Sequence, residues 1–393
     1  MLKKKVVVGM SGGVDSSVVA ALLQKQGYEV IGVTLHLYDN SVTVGKTRTC
    51  CSIDDVYDAQ AVANCLGINH YILDREDEFK KTVINEFISE YLSGSTPIPC
   101  ATCNRSVKIK EMVKFANSIG VKYVATGHYV NTEIGKDGVN LFLAKDSQKD
   151  QTYFLSLVNK EDINRLICPL GLYSKAEVRK IASNMGLTVD KKKDSQDICF
   201  VPNGNYVDVI RNFSDVKFLN GSVIHIQTKE VLGEHNGLVR YTVGQRKGIR
   251  ISYKNPLYVC KIDTKNNILF VGEEHYLYSN KLLITQFNLL TNDINDILEG
   301  SVSVKIRASS SLLDASISLI PDKKNNLNNA VSYNNSNINS YGAVTDNQQT
   351  QVKRQLFVSL ASSGRGIAPG QVCAVYKKNQ LLGGGKIKCL ISE

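Results

Sequence analysis

The first part of the chain alternates short apolar runs with amphipathic stretches. Runs typical of strands lie at residues 6–10, 29–35, 69–73 and 121–126, and helical periodicity separates them at 16–26, 54–66, 76–92 and 104–119. This alternation predicts βαβ units, and therefore a parallel sheet covered by helices. Ligands of such sheets bind beyond the carboxyl ends of the strands. We therefore expect a site near residues 9–16, 35–36 and 126–128.

The pattern changes after about residue 210, where short alternating runs are separated by Gly, Asn and Asp turns. This spacing predicts mainly β structure. We predict three domains: an α/β domain at 1–210, a small β-rich domain at 211–280, and a C-terminal β-barrel at 281–393. Residues 323–351 are rich in Asn, Ser and Gln and offer little to bury, so they predict a flexible insertion between two strands, with a binding arm as the alternative.

Composition narrows the class of protein. The chain has 393 residues, of which 43% are hydrophobic, enough for two or three domain cores. A formal charge of +10 favours a polyanionic partner such as RNA, although a solvated basic face would give the same charge. Ten cysteines at irregular spacing, without a secretory or transmembrane segment, predict a reduced cytoplasmic protein with no membrane partner.

A phosphate-binding turn is predicted between the first strand and the first helix. Residues 11–17 read Ser-Gly-Gly-Val-Asp-Ser-Ser. The glycines permit a tight turn, and the hydroxyls of Ser11, Ser16 and Ser17 converge with free helix N–H groups on one anion. The G-x-x-x-x-G-K-[ST] pattern is absent. The string instead resembles the PP-loop of ATP pyrophosphatases, and a glycine-serine turn without a ligand is the alternative.

Three cysteines are candidates for sulfur chemistry. Cys100 and Cys103 follow a proline-bounded loop, just ahead of a helix that begins near residue 104. The helix N-terminus, Arg105 and Lys108 could favour a thiolate there. Cys199 lies in a basic stretch that ends in an apolar pair. A structural zinc site, which would need a second Cys-x-x-Cys, and inert buried thiols are the alternatives.

Several segments together carry a resemblance to one family. They are Gly9–Ser16, Ala125–Tyr129, Lys149–Leu155, Lys192–Ser195 with Ile198–Phe200, Gly244–Gly248, Pro369–Gln371 and Leu382–Gly385. In this combination and order, over essentially the whole chain, they resemble the bacterial tRNA-specific 2-thiouridylases, the MnmA family of PP-loop ATP pyrophosphatases. The resemblance implies an N-terminal α/β PP-loop domain of the adenine nucleotide alpha hydrolase type, a small mainly-β central domain and a C-terminal β-barrel.

The family also implies an activity. ATP would adenylate the C2 oxygen of the wobble uridine in a tRNA anticodon stem-loop, release pyrophosphate, and let sulfur displace AMP. The ATP-binding positions are Gly9, Met10, Ser11, Gly12, Gly13, Val14, Asp15, Ser16, Leu35 and Gly127. Mg²⁺ is expected on the phosphates, with Asp15 as a candidate neighbour.

Sulfur transfer is assigned by the same resemblance to two cysteines. Cys103 matches the nucleophile, and Cys199 matches the persulfide carrier, which a sulfur-relay protein downstream of a cysteine desulfurase would load. Either Cys103 releases sulfide from the persulfide, or it pairs with Cys199 as the persulfide attacks C2. Both routes end in a transient Cys103–Cys199 disulfide.

The implied tRNA contacts are spread along the chain. They are Ile98, Pro99, Cys100, His128, Lys149, Asp150, Gln151, Arg307 and Gln371. His128 could instead be a local hydrogen-bond partner. The sequence departs from the family at Cys100, where an Asp is usual after Asn-Pro, and after Arg307, where Ala-Ser-Ser replaces Tyr and further polar residues. At these two places the chain lacks side chains that the family uses to contact the target base and to bind RNA with the barrel.

Two other classes of function remain open from the sequence. A PP-loop enzyme acting on a small molecule, such as an amidotransferase-type synthetase or an argininosuccinate-type ligase, would explain the loop but not Cys103, Cys199 or the barrel. A non-enzymatic RNA-binding protein on a decayed nucleotide-binding domain is disfavoured by the intact loop and the two cysteines.

Overall fold

A computed structural model describes residues 3–38, 53–187, 189, 192, 198–201, 204–320, 351–352 and 355–391. Apart from Gln351, the predicted insertion at 323–351 lies outside these residues. The strands are β1 (Lys5–Gly9), β2 (Glu29–His36), β3 (Asn69–Asp74), β4 (Tyr123–Ala125), β5 (Asn131–Gly135), β6 (Gly138–Phe142), β7 (Leu166–Ile167), β8 (Gly221–His225), β9 (Val231–His235), β10 (Tyr258–Asp263), β11 (Ile268–Gly272), β12 (Tyr278–Leu289), β13 (Val302–Lys305), β14 (Leu313–Leu319), β15 (Gln351–Val352), β16 (Leu356–Arg365), β17 (Val372–Lys377) and β18 (Gln380–Leu390). The helices are α1 (Val14–Lys25), α2 (Ile53–Leu66), α3 (Glu76–Phe79), α4 (Asn85–Leu92), α5 (Pro99–Cys103), α6 (Ile109–Ser118), α7 (Thr152–Leu155), α8 (Lys160–Ile163), α9 (Lys175–Asn184), α10 (Tyr206–Phe213) and α11 (Asn295–Leu298).

The N-terminal domain is built on a parallel sheet. Among the described residues, five strands pair in the order β3-β2-β1-β4-β7, every pair parallel. Successive side chains of a strand point to opposite faces. Val7 therefore packs into one hydrophobic cluster with Phe87, and Val8 into a second cluster with Val18 of α1. Both faces are covered, as in parallel sheets generally, and the predicted βαβ architecture is confirmed.

One long helical segment supports the site. Helices α5 and α6 are joined by a π-helical turn at Asn104–Lys108, so the segment continues from Pro99 to Ser118. Pro99 sits in the first turn, where the missing N–H costs no helical hydrogen bond. A π turn within an α-helix often marks a functional position.

The remainder of the chain is mainly β, as predicted. In the central region, described strands pair in the order β10-β11-β8-β9 around a small cluster that contains Val223, Val259 and Leu269. In the C-terminal region, the described strands β12-β16-β14-β13-β17-β18 pair in sequence, and β18 pairs back with β12 to close a barrel. Closure leaves no open edge among these strands.

Two features of the fold differ from the sequence-based picture. Strands β5 and β6 form a hairpin that the hydrophobic pattern does not reveal, and Leu141 of β6 pairs with Leu381 of β18. The first domain thereby adds strands to the sheet of the barrel. The domain boundaries that we predict at 210/211 and 280/281 fall inside α10 and β12. No helix in the described part of the chain is both long and apolar enough to cross a membrane.

Candidate active site

The predicted phosphate loop forms a tight turn between β1 and α1. Gly12 has a positive φ of 66°, and a Cβ at this position would lie 2.2 Å from the carbonyl oxygen of Asp55. Only glycine fits this backbone without strain. Gly13 has an extended backbone at the start of α1, and, of the residues that the structure describes, a Cβ there would meet only Ser11 Oγ, at 3.5 Å. The loop is therefore shaped by Gly12, while Gly13 keeps its outer face open.

The serine hydroxyls of the loop divide into two groups. The backbone N–H of Ser11 donates to Ser16 Oγ at 3.1 Å, and the two hydroxyls lie 3.3 Å apart. Ser17 is fully buried, and its hydroxyl donates to the carbonyl of Gly13 at 2.8 Å. Ser16 Oγ also donates to the Gly13 carbonyl, at 3.3 Å, but Ser11 and Ser16 line a cavity and Ser17 does not, so the anion contact expected of Ser17 is not what the structure shows.

A cavity of about 430 Å³ opens beside this loop, at the carboxyl ends of β1, β2 and β4. Its lining includes these residues predicted from the sequence: Gly9, Met10, Ser11, Gly13, Val14, Asp15, Ser16, Leu35, Gly127, His128, Lys149 and Gln151. The lining also includes residues to which no sequence pattern assigns a role in the site: Val33, Thr34, Leu37, Asp55, Met112 and Tyr129. Lys108 and Lys192 complete the positive side of the lining.

Close packing around Gly127 explains why this position has no side chain. A Cβ at Gly127 would lie 3.1 Å from the backbone nitrogen of Ser16 and 3.2 Å from Cβ of Asp15. The carboxyl end of β4 thus rests against the first turn of α1. Because the free N–H groups of that turn carry the positive end of the helix dipole, this edge of the cavity suits an anion.

Both carboxylates in the lining are held by lysines. Lys175 Nζ lies 2.8 Å from each carboxylate oxygen of Asp15, and the Tyr129 hydroxyl donates to the same group at 2.8 Å. Lys192 Nζ donates to Asp55 at 2.6 Å and to the carbonyl of Gly12 at 3.0 Å. Asp15, the candidate Mg²⁺ neighbour, is therefore paired with Lys175 in this structure.

Cys103 lies at the end of α5 and is 5% exposed. Burial raises the pKa of its thiol to about 11, while the positive charge of Lys108 and a hydrogen bond from the Lys108 backbone act in the opposite direction. Cys103 is not in a disulfide. Cys199 is half-buried and packs against the same hydrophobic cluster that contains Cys103. Neither cysteine lines the cavity, and their transient disulfide stays a prediction.

Arg105 does not serve the thiol as the sequence suggested. Its guanidinium lies 2.9 Å from the carboxylate of Glu86, and Glu86 also accepts a hydrogen bond from Thr102 at 2.9 Å. This ion pair belongs to a separate cleft between α4, α6 and the barrel. Of the cations in the described ranges, Lys108 is therefore the one that acts on Cys103.

His128 and Gln151 line the cavity but are also held by local hydrogen bonds. Nδ1 of His128 lies 2.8 Å from the hydroxyl of Thr126. Burial, with the positive charge of Lys108, lowers the pKa of His128 to about 3, so its ring is neutral at pH 7. The Gln151 side-chain carbonyl accepts from the backbone N–H of Tyr129 at 2.9 Å. His128 thus has a local hydrogen-bond partner and also lines the cavity, so the two alternatives for this residue are compatible.

Three predicted RNA contacts have partners inside the protein. The Asp150 side chain is 3% exposed and accepts from Thr152 at 2.8 Å and from Lys305 Nζ at 3.4 Å. Arg307 donates to the carbonyl of Gly366, and burial lowers its pKa. Gln371 is 8% exposed and donates to a backbone carbonyl in the loop before α5. These contacts give the three side chains structural roles, and RNA binding by them stays a prediction.

The segment expected to hold the target base has mixed exposure. Cys100 is exposed, Ile98 is half-buried and Pro99 is buried. None of the three lines the cavity. Within the described ranges, no three His, Cys, Asp or Glu side chains are grouped so that they could hold a metal ion.

Family models match most of the chain in three parts. Residues 4–203 match the tRNA methyl transferase HUP domain, 208–273 the tRNA methyl transferase PRC-barrel domain, and 343–387 the aminomethyltransferase beta-barrel domain. These matches follow the same three-part order as the predicted domains.

Full-length relatives are also found. The chain is 44% identical over 382 residues to "tRNA-specific 2-thiouridylase MnmA" of Rickettsia canadensis (strain McKiel), a match that covers 97% of this chain and 95% of the relative. It is 43% identical over 387 residues to the protein of the same name in Rickettsia prowazekii (strain Madrid E), with 98% and 99% covered. The solved U34-tRNA thiolase NcsA of Methanococcus maripaludis is similar over 54% of this chain and 72% of its own, at 19% identity and a TM-score of 0.34.

Proposed function

The chain belongs to the family of tRNA-specific 2-thiouridylases, and we propose that it replaces the C2 oxygen of the wobble uridine in tRNA with sulfur, at the expense of ATP. The observation that carries this proposal is the shape of the phosphate loop. Gly12 leaves no room for a side chain, and Ser11, Gly13 and Ser16 line a cavity at the N-terminus of α1. Such a loop binds phosphate groups through backbone N–H donors.

The residues of the cavity fit ATP. Ser11, Gly13 and Ser16 would hold the phosphates, and Leu35 and Gly127 would contact the nucleoside. ATP supplies an adenylyl group that converts the C2 oxygen into part of a good leaving group. Lys108 adds positive charge at the cavity wall where the phosphates would bind, while the charge of Lys192 is balanced by Asp55. We propose that Mg²⁺ accompanies the nucleotide and takes most of its ligands from the phosphates.

The two cysteines would carry the sulfur step. Cys199 would bear a persulfide, loaded by a sulfur-relay protein downstream of a cysteine desulfurase. The Cys103 thiolate attacks Sγ of Cys199, the S–S bond of the persulfide breaks, and hydrosulfide leaves to attack C2 as AMP departs. Alternatively, the terminal persulfide sulfur attacks C2 first and Cys103 attacks Sγ of Cys199 afterwards. In both routes a Cys103–Cys199 disulfide forms, and a cellular dithiol must reduce it before the next turnover.

The anticodon stem-loop of tRNA would approach the open side of the cavity. Lys149 is half-buried in the lining and can reach a phosphate, while Gln151 and neutral His128 offer hydrogen bonds to sugar or base edges. We place this reaction in the cytoplasm, where thiols stay reduced.

Pyrophosphate release with and without total tRNA tests the proposal. We expect release to depend on tRNA, because uridine is the group that receives the adenylyl moiety. Release that is equally fast without tRNA would indicate a PP-loop enzyme for a small molecule. Absence of release under both conditions, with tRNA still bound, would indicate an RNA-binding protein without this activity.

A further inference from the structure

Lys108 connects the nucleotide cavity to the buried cysteine. It is the last residue of the π-helical turn that follows Cys103. Its side chain lines the cavity beside the phosphate loop, and its backbone donates a hydrogen bond to the Cys103 thiol. A π turn brings residues five apart into hydrogen-bond contact, so Lys108 can lie next to the Cys103 thiol and also line the nucleotide cavity.

The other cations of this helical segment are placed differently. Arg105 is paired with Glu86 at 2.9 Å, and Lys114 with Glu111 at 2.5 Å. Lys110 is exposed and lines the separate cleft between α6 and the barrel. Between residues 99 and 118, all of which the structure describes, Lys108 is the cation in the lining of the nucleotide cavity.

We propose that Lys108 is a positioning residue that makes the ionisation of Cys103 depend on the phosphate charge in the cavity. The inference rests on the proposed function, because it takes ATP as the occupant. Anionic phosphates near Lys108 offset the positive charge that favours a thiolate at Cys103. A bound triphosphate carries more negative charge than the phosphodiester that remains once pyrophosphate has left. Cys103 is therefore less nucleophilic before adenylation and more nucleophilic after it.

Few other groups act on this thiol. Among the residues that the structure describes, the charged and titratable neighbours that influence Cys103 are Lys108, whose charge lowers its pKa, and Cys100, whose ionised form would raise it. His128, another titratable group on which Lys108 acts, is neutral at pH 7. Within the described part of the chain, the Lys108 ammonium group would thus link the two chemical steps.

Alkylation of Cys103 by iodoacetamide measures its thiolate directly. Rates are followed from pH 7 to 10, with mass spectrometry assigning the label to Cys103 rather than Cys100. We expect Lys108→Gln to lower the rate at pH 8 by about tenfold, the effect of a pKa rise of about one unit. Lys108→Arg should keep most of the rate, because the charge stays. Lys110→Gln, the matched control on the same helix, should alkylate like the wild type.

The second arm adds α,β-methylene ATP, which cannot be split between its α and β phosphates, at a concentration that saturates each variant in equilibrium dialysis. We expect the analogue to slow alkylation of Cys103 in the wild type by about three- to tenfold. In Lys108→Gln the analogue should have no effect on this rate. Adenosine, which lacks phosphates, should have no effect in either protein. An equal slowing in wild type and Lys108→Gln would mean steric shielding and overturn the inference, as would wild-type rates in Lys108→Gln. Failure of the analogue to bind any form would instead contradict the proposed function.

Discussion

The side-chain amide of Gln371 donates a hydrogen bond to the carbonyl of Thr96 at 3.0 Å, and so ties the barrel to the loop that precedes the Cys103 helix. The backbone N–H of Thr96 donates in return to the carbonyl of Pro369 at 2.7 Å. Gly370 lies so close that a Cβ there would be 2.9 Å from the Thr96 backbone. The barrel thus contributes to the position of the loop before α5, the helix that ends at Cys103.

Gln371→Ala separates these two roles. If the amide acts through Thr96, the rate constant of thiolation should fall severalfold while the dissociation constant for tRNA changes little, because about 1 kcal/mol of positioning is lost. Gln380→Ala is a suitable control, since Gln380 joins the barrel to the hairpin at Asn140, at 3.2 Å, rather than to the α5 loop. A weaker affinity for tRNA with an unchanged rate at saturation would support a direct RNA contact instead.

Gly13→Val should abolish pyrophosphate release and leave cooperative thermal unfolding nearly unchanged. The added side chain would extend from the open face of the loop, where its Cβ lies 3.5 Å from Ser11 Oγ, into the space for phosphate. Gly13→Ala should give a smaller loss, since it adds only the Cβ. Unaltered pyrophosphate release in Gly13→Val would remove the loop from the nucleotide site.

Cys103→Ser and Cys199→Ser should each eliminate 2-thiouridine formation but retain tRNA-dependent pyrophosphate release, because sulfur transfer follows adenylation. Cys65→Ser, at an exposed position on α2, is the control and should keep full activity. Mass spectrometry of the sulfur-loaded enzyme should locate the persulfide on Cys199. A persulfide on another cysteine would require a different carrier.

Sequence patterns predict the parts of this protein that depend on neighbouring residues. The run Val6, Val7, Val8 predicts a buried strand because its side chains alternate between two covered faces. The phosphate loop is predictable for the same reason, since its glycines and serines are consecutive. The hairpin of β5 and β6 also has a local sequence signal, the turn dipeptide Asp137-Gly138. The residues around it are weakly apolar, and the apolar Ile134 is exposed, so the flanking segments lack the alternation that would predict strands.

Contacts between distant residues could not be predicted in this way. Asp15 and Lys175 meet only because α1 and α9 pack together, and no pattern in either segment shows it. The burial of Asp150 against Lys305 likewise depends on docking of the barrel. Residues that face a ligand and residues that join domains have similar polar character in the sequence, so only the fold separates them.

Lys149 and Asp150 are adjacent but should behave differently when replaced. Lys149→Gln should weaken tRNA binding and reduce the slope of log affinity against log salt by about one unit or less, because one phosphate contact is lost. Asp150→Ala should instead lower the free energy of unfolding by about 3 kcal/mol, because Lys305 is left buried without its partner. Denaturant unfolding and salt-dependent binding, measured on both variants, check the contrast. The opposite assignment of the two effects would show that Asp150 faces RNA.

The central claim is tested most directly by nucleoside mass spectrometry of tRNA incubated with the protein, ATP and a sulfur donor. We predict one 2-thiouridine at the wobble position for each pyrophosphate released, and none in the Cys103→Ser enzyme. The account would be contradicted if the wild-type protein, carrying a persulfide, released pyrophosphate in the presence of tRNA but formed no 2-thiouridine.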